Sequence, residues 1–163
     1  MKQKTKKTEL GFTLLLSLLI TSIILSIGLG VFDIIIRETI LSGSGMESQK
    51  AFYAADTGAE CSLYWDLKHP GFTDSVFATS SDSVPPTSGV LCNEEDIATT
   101  WSITGLTPTT ATTEFKLNLA NGSCVDVFVI KDSGAVKIES RGYNLACDSV
   151  DRRKVERALR VSY

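Results

Sequence analysis

The chain has 163 residues, of which 43% are hydrophobic and 21% charged, with 16 basic and 19 acidic side chains and a net charge of −3. Such averages belong to a folded protein of one domain and exclude collagen-like, coiled-coil and wholly disordered chains. The mild acidity also sets aside a duplex nucleic-acid binder, which needs a net basic surface, and the single histidine, His69, leaves little for a His-based metal or catalytic centre.

The averages conceal an uneven distribution. The first ten residues hold Lys2, Lys4, Lys6 and Lys7 against one acid, Glu9. From Leu10 through Phe32 there are 23 residues without a charge, LGFTLLLSLLITSIILSIGLGVF, and Ile34, Ile35 and Ile36 extend the apolar run past Asp33. About 20 apolar residues suffice to cross a bilayer as a helix, and the run exceeds the roughly 7–15-residue core of a secretory signal. The lysines hold their flank in the cytoplasm, which places the chain after Asp33 outside. Asp33 and Arg37 are four residues apart, so on a helix they face each other as an interfacial ion pair.

The junction reads KTKKTELGFTLLLSLLI: a short basic leader, Gly11, then Phe12-Thr13-Leu14 and the apolar run. It resembles the leader of type IV pilins and type II secretion pseudopilins. That resemblance implies cleavage after Gly11 by a membrane-embedded prepilin peptidase and N-methylation of the new terminus at Phe12. A second stretch, Glu47 to Glu60, contains Ala51-Phe52-Tyr53-Ala54-Ala55-Asp56-Thr57-Gly58-Ala59-Glu60. It is similar to the A-F-x-A-A-D-x-G-x-E pattern of minor pilins of the PilX type. The likeness covers about the first 65 residues; the remainder compares only in layout. One position departs from the family. The fifth residue after the processed glycine is usually glutamate, whose carboxylate neutralises the terminal ammonium of a neighbouring subunit, and here it is Leu16. Because family members lacking it include tip subunits, the resemblance implies a minor, tip-proximal subunit. A lineage whose filaments dispense with the glutamate is the alternative. In packed filaments of the family part of the long helix unwinds, and Ile27 to Val31, containing Gly28 and Gly30, is the expected segment; close helix packing through small residues is the other account of those glycines.

Beyond Arg37 the spacing remains helical. Phe52, Ala55, Ala59, Leu63 and Leu67 form an apolar stripe at three- and four-residue intervals, with Glu47, Lys50, Asp56, Glu60 and Asp66 largely off it. Gly43 and Gly45 could bend the helix, and His69-Pro70-Gly71 ends it. The helix is expected from about Phe12 to Lys68. Residues 70 to 113, rich in Ser, Thr, Pro and Gly, read as loop with one short strand near Trp101, Ser102 and Ile103. Glu94-Glu95-Asp96 reads as a solvated charge run.

The C-terminal part alternates. Phe115, Leu117 and Leu119 precede the turn Asn121-Gly122; Val125, Val127 and Val129 precede Asp132-Ser133-Gly134; Val136 and Ile138 follow. In the last segment Val155, Arg157, Leu159, Val161 and Tyr163 stand against Lys154, Glu156, Arg160 and Ser162. Period-two runs joined by tight turns specify an antiparallel sheet with one buried face. The helix stripe is its natural cover, so the expected class is α+β, a pilin-like long N-terminal helix packed on a C-terminal antiparallel sheet. The expected divisions are leader 1–11, membrane or filament-core helix 12–36, stalk helix 37–69 and head 70–163.

All four cysteines, Cys61, Cys92, Cys124 and Cys147, follow the membrane segment, and none forms a CxxC pair. An even number outside the cytoplasm suits disulfides rather than zinc. Of the three possible pairings we favour the sequential one, since each pair then brackets polar loop. Ser42-Gly43-Ser44-Gly45-Met46 lacks the order of a nucleophile elbow, and Tyr64-Trp65 suits helix–sheet packing. Arg152, Arg153, Lys154 and Arg157 are interspersed with Asp148, Asp151 and Glu156, as on a strand's charged face.

The function expected is therefore a structural filament subunit, not an enzyme, without metal or cofactor. Its expected partners are other pilin subunits, the prepilin peptidase and the inner-membrane assembly platform, with no nucleic acid. It would start as a single-pass protein of the cytoplasmic membrane and end in an extracellular filament. The alternatives are a membrane-anchored binding domain that never polymerises and a type II secretion pseudopilin.

Overall fold

A computed structural model describes residues 9–68 and 70–163, with side chains from residue 12 onward. The lysine leader and His69 lie outside the described residues. The chain divides into two compact units, the first ending at Ser44 and the second spanning Gly45–Tyr163.

One helix, α1, spans Glu9–Leu67. It starts before the expected Phe12, and it is unbroken at Gly28, Gly30, Gly43 and Gly45. In the first unit every described side chain is exposed. Four hydroxyls there bond back to the helix itself: Ser17 to the Leu14 carbonyl at 2.9 Å, Thr21 to Ser17 at 2.9 Å, Ser22 to Leu19 at 2.8 Å and Thr39 to Ile35 at 2.8 Å. Such bonds satisfy polar side chains without a partner from outside the helix, which is what an apolar solvent demands. Asp33 and Arg37 form the expected ion pair at 3.1 Å.

In the second unit the end of α1 lies on a five-stranded antiparallel meander of β3 (Ser102–Thr104), β4 (Thr110–Asn118), β5 (Cys124–Asp132), β6 (Ala135–Tyr143) and β7 (Glu156–Ser162), in that spatial order. A small hairpin of β1 (Leu91–Cys92) and β2 (Glu95–Asp96) precedes it. The class is α+β. The alternation works as read: Phe115, Leu117, Val125, Val127, Val129 and Ile138 are all buried on the face toward α1. The β5–β6 connection is Ser133-Gly134 with φ of 51° and 91°, the left-handed pair that a two-residue hairpin needs.

Two expectations need correction. The helix face that packs is not the stripe of large residues: Phe52 is 44% and Leu67 58% exposed, Leu63 is half-buried, and only Ala55 and Ala59 of that stripe are buried. The buried side of α1 is Ala51, Ala54, Ala55, Gly58, Ala59, Ser62, Trp65 and Asp66. Small residues win because the backbones come close. A Cβ on Gly142 of β6 would run into the α1 backbone at Ala51 O and Ala55 N, and one on Gly58 would lie 2.6 Å from Ser140 Oγ and 2.7 Å from Val125 and Val127 methyls. Ser140 Oγ also donates to the Ala55 carbonyl at 2.6 Å.

The second correction concerns residues 70 to 113, which are more than loop. Besides β1 and β2 they hold a 3-10 turn, Ile97–Thr99, and the start of β4. Val76, Phe77, Val90 and Ile97 from this region are all but fully buried, and Phe77 stacks on Phe115 with ring centroids 6.1 Å apart. Polar composition hid four of the core's apolar side chains.

Candidate functional site

The candidate site has two parts, each on its own unit. The first is the apolar surface of α1. Gly11 is one of its helical residues; Phe12 is 68% exposed and Leu16 45% exposed. From Phe12 to Ile36 the helix presents leucine, isoleucine, valine and phenylalanine on every side, so it has no polar face to turn toward water. The described helix is long and apolar enough to cross a membrane.

The second part is the seam between α1 and the sheet. Cys61 is bonded to Cys92, and Cys124 to Cys147, with Cα separations of 5.9 and 5.3 Å. The first bridge ties α1 to β1; the second ties the start of β5 to the segment before β7. Trp65 is buried and its Nε1 donates to the Leu91 carbonyl at 3.0 Å, whereas Tyr64 beside it is exposed.

The seam also holds side chains that sequence reasoning missed. Asp66, expected to face away from the packing stripe, is buried and pairs with Lys131, while Ser75 donates to the same carboxylate and Tyr163 donates at 2.6 Å. Burial opposes the Asp66 charge, but the bonds from Lys131, Ser75 and Tyr163 outweigh it and hold the carboxyl below the usual carboxylate range. Burial, followed by the bond to Asp66, pushes the Tyr163 phenol up. A signal was present: Val125, Val127, Val129 and Lys131 share one strand face, so a charge at the fourth position required a buried partner.

Nearer the start of the second unit, Asn144 is buried with Nδ2 donating to Glu47 at 2.8 Å and to the Arg153 carbonyl at 3.0 Å. The Asn144 bond holds the Glu47 carboxyl below its usual range. The basic cluster is not one strand face: Arg152, Arg153 and Lys154 precede β7, with Arg153 paired to Asp151 at 3.1 Å and Lys154 donating to the Cys147 carbonyl at 2.6 Å. Only Arg157 lies in β7, and its Nε donates to Ser48 at 2.8 Å.

The acidic run is likewise more than a solvated charge. Asp96 accepts from the backbone N–H of Gly89 at 2.7 Å, Val90 at 3.2 Å and Ala98 at 3.1 Å, folding the β1–β2 region around itself. Among the described residues no three His, Cys, Asp or Glu side chains are grouped to hold a metal ion. Compared with protein-family models, curated proteins and solved structures, the chain matches none.

Proposed function

We propose that this chain is a structural filament subunit, a minor, tip-proximal pilin of a type IV pilus or a pilus-like filament. The observation that carries the proposal is the exposed, predominantly apolar helix surface from Phe12 to Ile36, on a helix that also includes Gly11. A helix of this kind is stable in lipid, and sister helices are as apolar as lipid tails. Transfer between the two environments therefore runs on packing rather than on a hydrophobic gain.

The prepilin peptidase cuts after Gly11 and methylates Phe12, and the assembly platform then moves the subunit from the cytoplasmic membrane into the filament with its head outside. Removing the leader takes away four lysines and one glutamate and leaves a mature charge of −6. Leu16 supplies no carboxylate to a neighbour's terminal ammonium. Such a carboxylate costs about 2.5–3.5 kcal/mol in lipid until it finds that partner. A subunit with no neighbour ahead of it has no use for one, which favours the tip.

Mass spectrometry of the mature N-terminus tests the proposal. A chain starting at methylated Phe12 is expected. An intact Met1 or a start at any other residue overturns it and leaves the anchored, non-polymerising domain.

A further inference from the structure

The loop joining β4 to β5 carries a feature that filament assembly does not use. Of the four asparagines, Asn93, Asn118, Asn121 and Asn144, only Asn121 is followed two positions later by a hydroxyl residue. Asn121-Gly122-Ser123 therefore has the Asn-x-Ser form at which glycans join asparagine in exported proteins. A tripeptide of this form arises easily by chance, so the geometry must decide whether the fold can carry a sugar there.

It can. Asn121 Oδ1 accepts from Ser123 N at 3.0 Å and from Ser123 Oγ at 2.5 Å, which closes the turn. Among the described residues Nδ2 donates to no partner, so the turn depends on the amide oxygen and leaves the nitrogen free. A secondary amide keeps its carbonyl oxygen, and both bonds survive substitution at nitrogen. Asn121 and Gly122 are exposed, and a Cβ on Gly122, where φ is 80°, would meet nothing within 4 Å. The adjacent Cys124 anchors the loop base through Cys147.

We propose that Asn121 is an N-glycosylation site whose donor is a sugar activated on a lipid-linked pyrophosphate. A bond forms between Nδ2 and the anomeric carbon, and the anomeric carbon's bond to the pyrophosphate oxygen breaks. The pyrophosphate leaves with that electron pair, and one Nδ2 proton passes to base. Ser123 is buried with its hydroxyl engaged on Asn121, so transfer precedes closure of the hairpin. The proposal rests on the head lying outside the membrane.

Peptide mapping of the full chain from the cells that make it, with thiols blocked first, tests this. The tryptic peptide 117–131 is expected to be heavier by at least one sugar residue and bridged to Cys147. Asn121→Gln and Ser123→Ala should lose the added mass, and Ser123→Thr should keep it. A bare peptide with the bridge intact overturns the glycan while leaving export standing. A bare peptide with free thiols overturns both, and added mass retained by Asn121→Gln overturns the site.

Discussion

Gly142 and Asp66 show how single residues set the helix–sheet seam. At Gly142 the α1 backbone occupies the space a side chain would need, so the contact has nowhere to give. Gly142→Ala is expected to lower the stability of the head by about 1–3 kcal/mol or more, as overpacking does, read as a drop in its thermal midpoint. At Asp66 the issue is charge. Asp66→Ala leaves the buried Lys131 without its counter-charge, bonded to the neutral Ser75 hydroxyl at 2.7 Å, which should cost about 3–5 kcal/mol, whereas the double replacement Asp66→Leu, Lys131→Met should recover most of it. The folded Asp66 carboxyl titrates below its ordinary value, so its stabilisation is present above that value and disappears as pH falls through the lowered one. The denaturant midpoint should therefore fall on acidification below about pH 4, and Asp66→Asn should flatten that fall. An Asp66→Asn profile as steep as that of the unaltered protein would assign the acid loss to other carboxylates.

Among the elements, α1 combines two different helices in one span, Glu9–Leu67. Up to Ser44 its described side chains are all exposed; from Ala51 on, its small residues are half of a packed interface. The apolar part should accordingly be sensitive to charge, not to volume. Ile24→Arg, near the middle of the run, should reduce membrane insertion by about 2.5–3.5 kcal/mol on biological insertion scales, visible as protein lost from the carbonate-resistant membrane fraction. Ile24→Leu should leave that fraction unchanged. The meander shows the complementary logic: each strand pairs with its sequence neighbour, through short turns as far as β6 and through the longer connection 144–155, held by Cys147, to β7.

For the whole molecule, the division at Ser44 and Gly45 matters most. The core of the second unit draws on α1 from Ala51, on Phe77 and Ile97, and on β4, β5 and β6, all within Gly45–Tyr163. Both disulfides lie there as well. That piece alone should fold as a soluble, monomeric domain with one cooperative unfolding transition, and reduction should lower its stability by about 3 kcal/mol per bridge, checked by calorimetry with and without reductant. Aggregation of this piece under oxidising conditions would mean that the first unit contributes to the fold of the second.

Local patterns made much of this legible in the sequence. The uncharged run from Leu10 to Phe32, the alternation of Phe115 with Leu117 and of Val125 with Val127 and Val129, and the Ser133-Gly134 turn each declare themselves within a few residues, because periodicity and backbone preference are local properties. What stayed hidden depends on residues far apart in the chain. Hydropathy favours Phe52 and Leu67 as the packing face, yet alanines take that place, because two glycines 84 positions apart, Gly58 and Gly142, bring the backbones together. Asp66 looks like surface until Lys131, Ser75 and Tyr163 arrive around it. The sequence by itself determined the long helix, its membrane-length apolar run and the long alternating strands, though not β1, β2 or the 3-10 turn between Gly71 and Thr100. The tertiary structure alone decided which side of α1 meets the sheet and which charges are buried there, since close approach and desolvation exist only once distant segments are in contact.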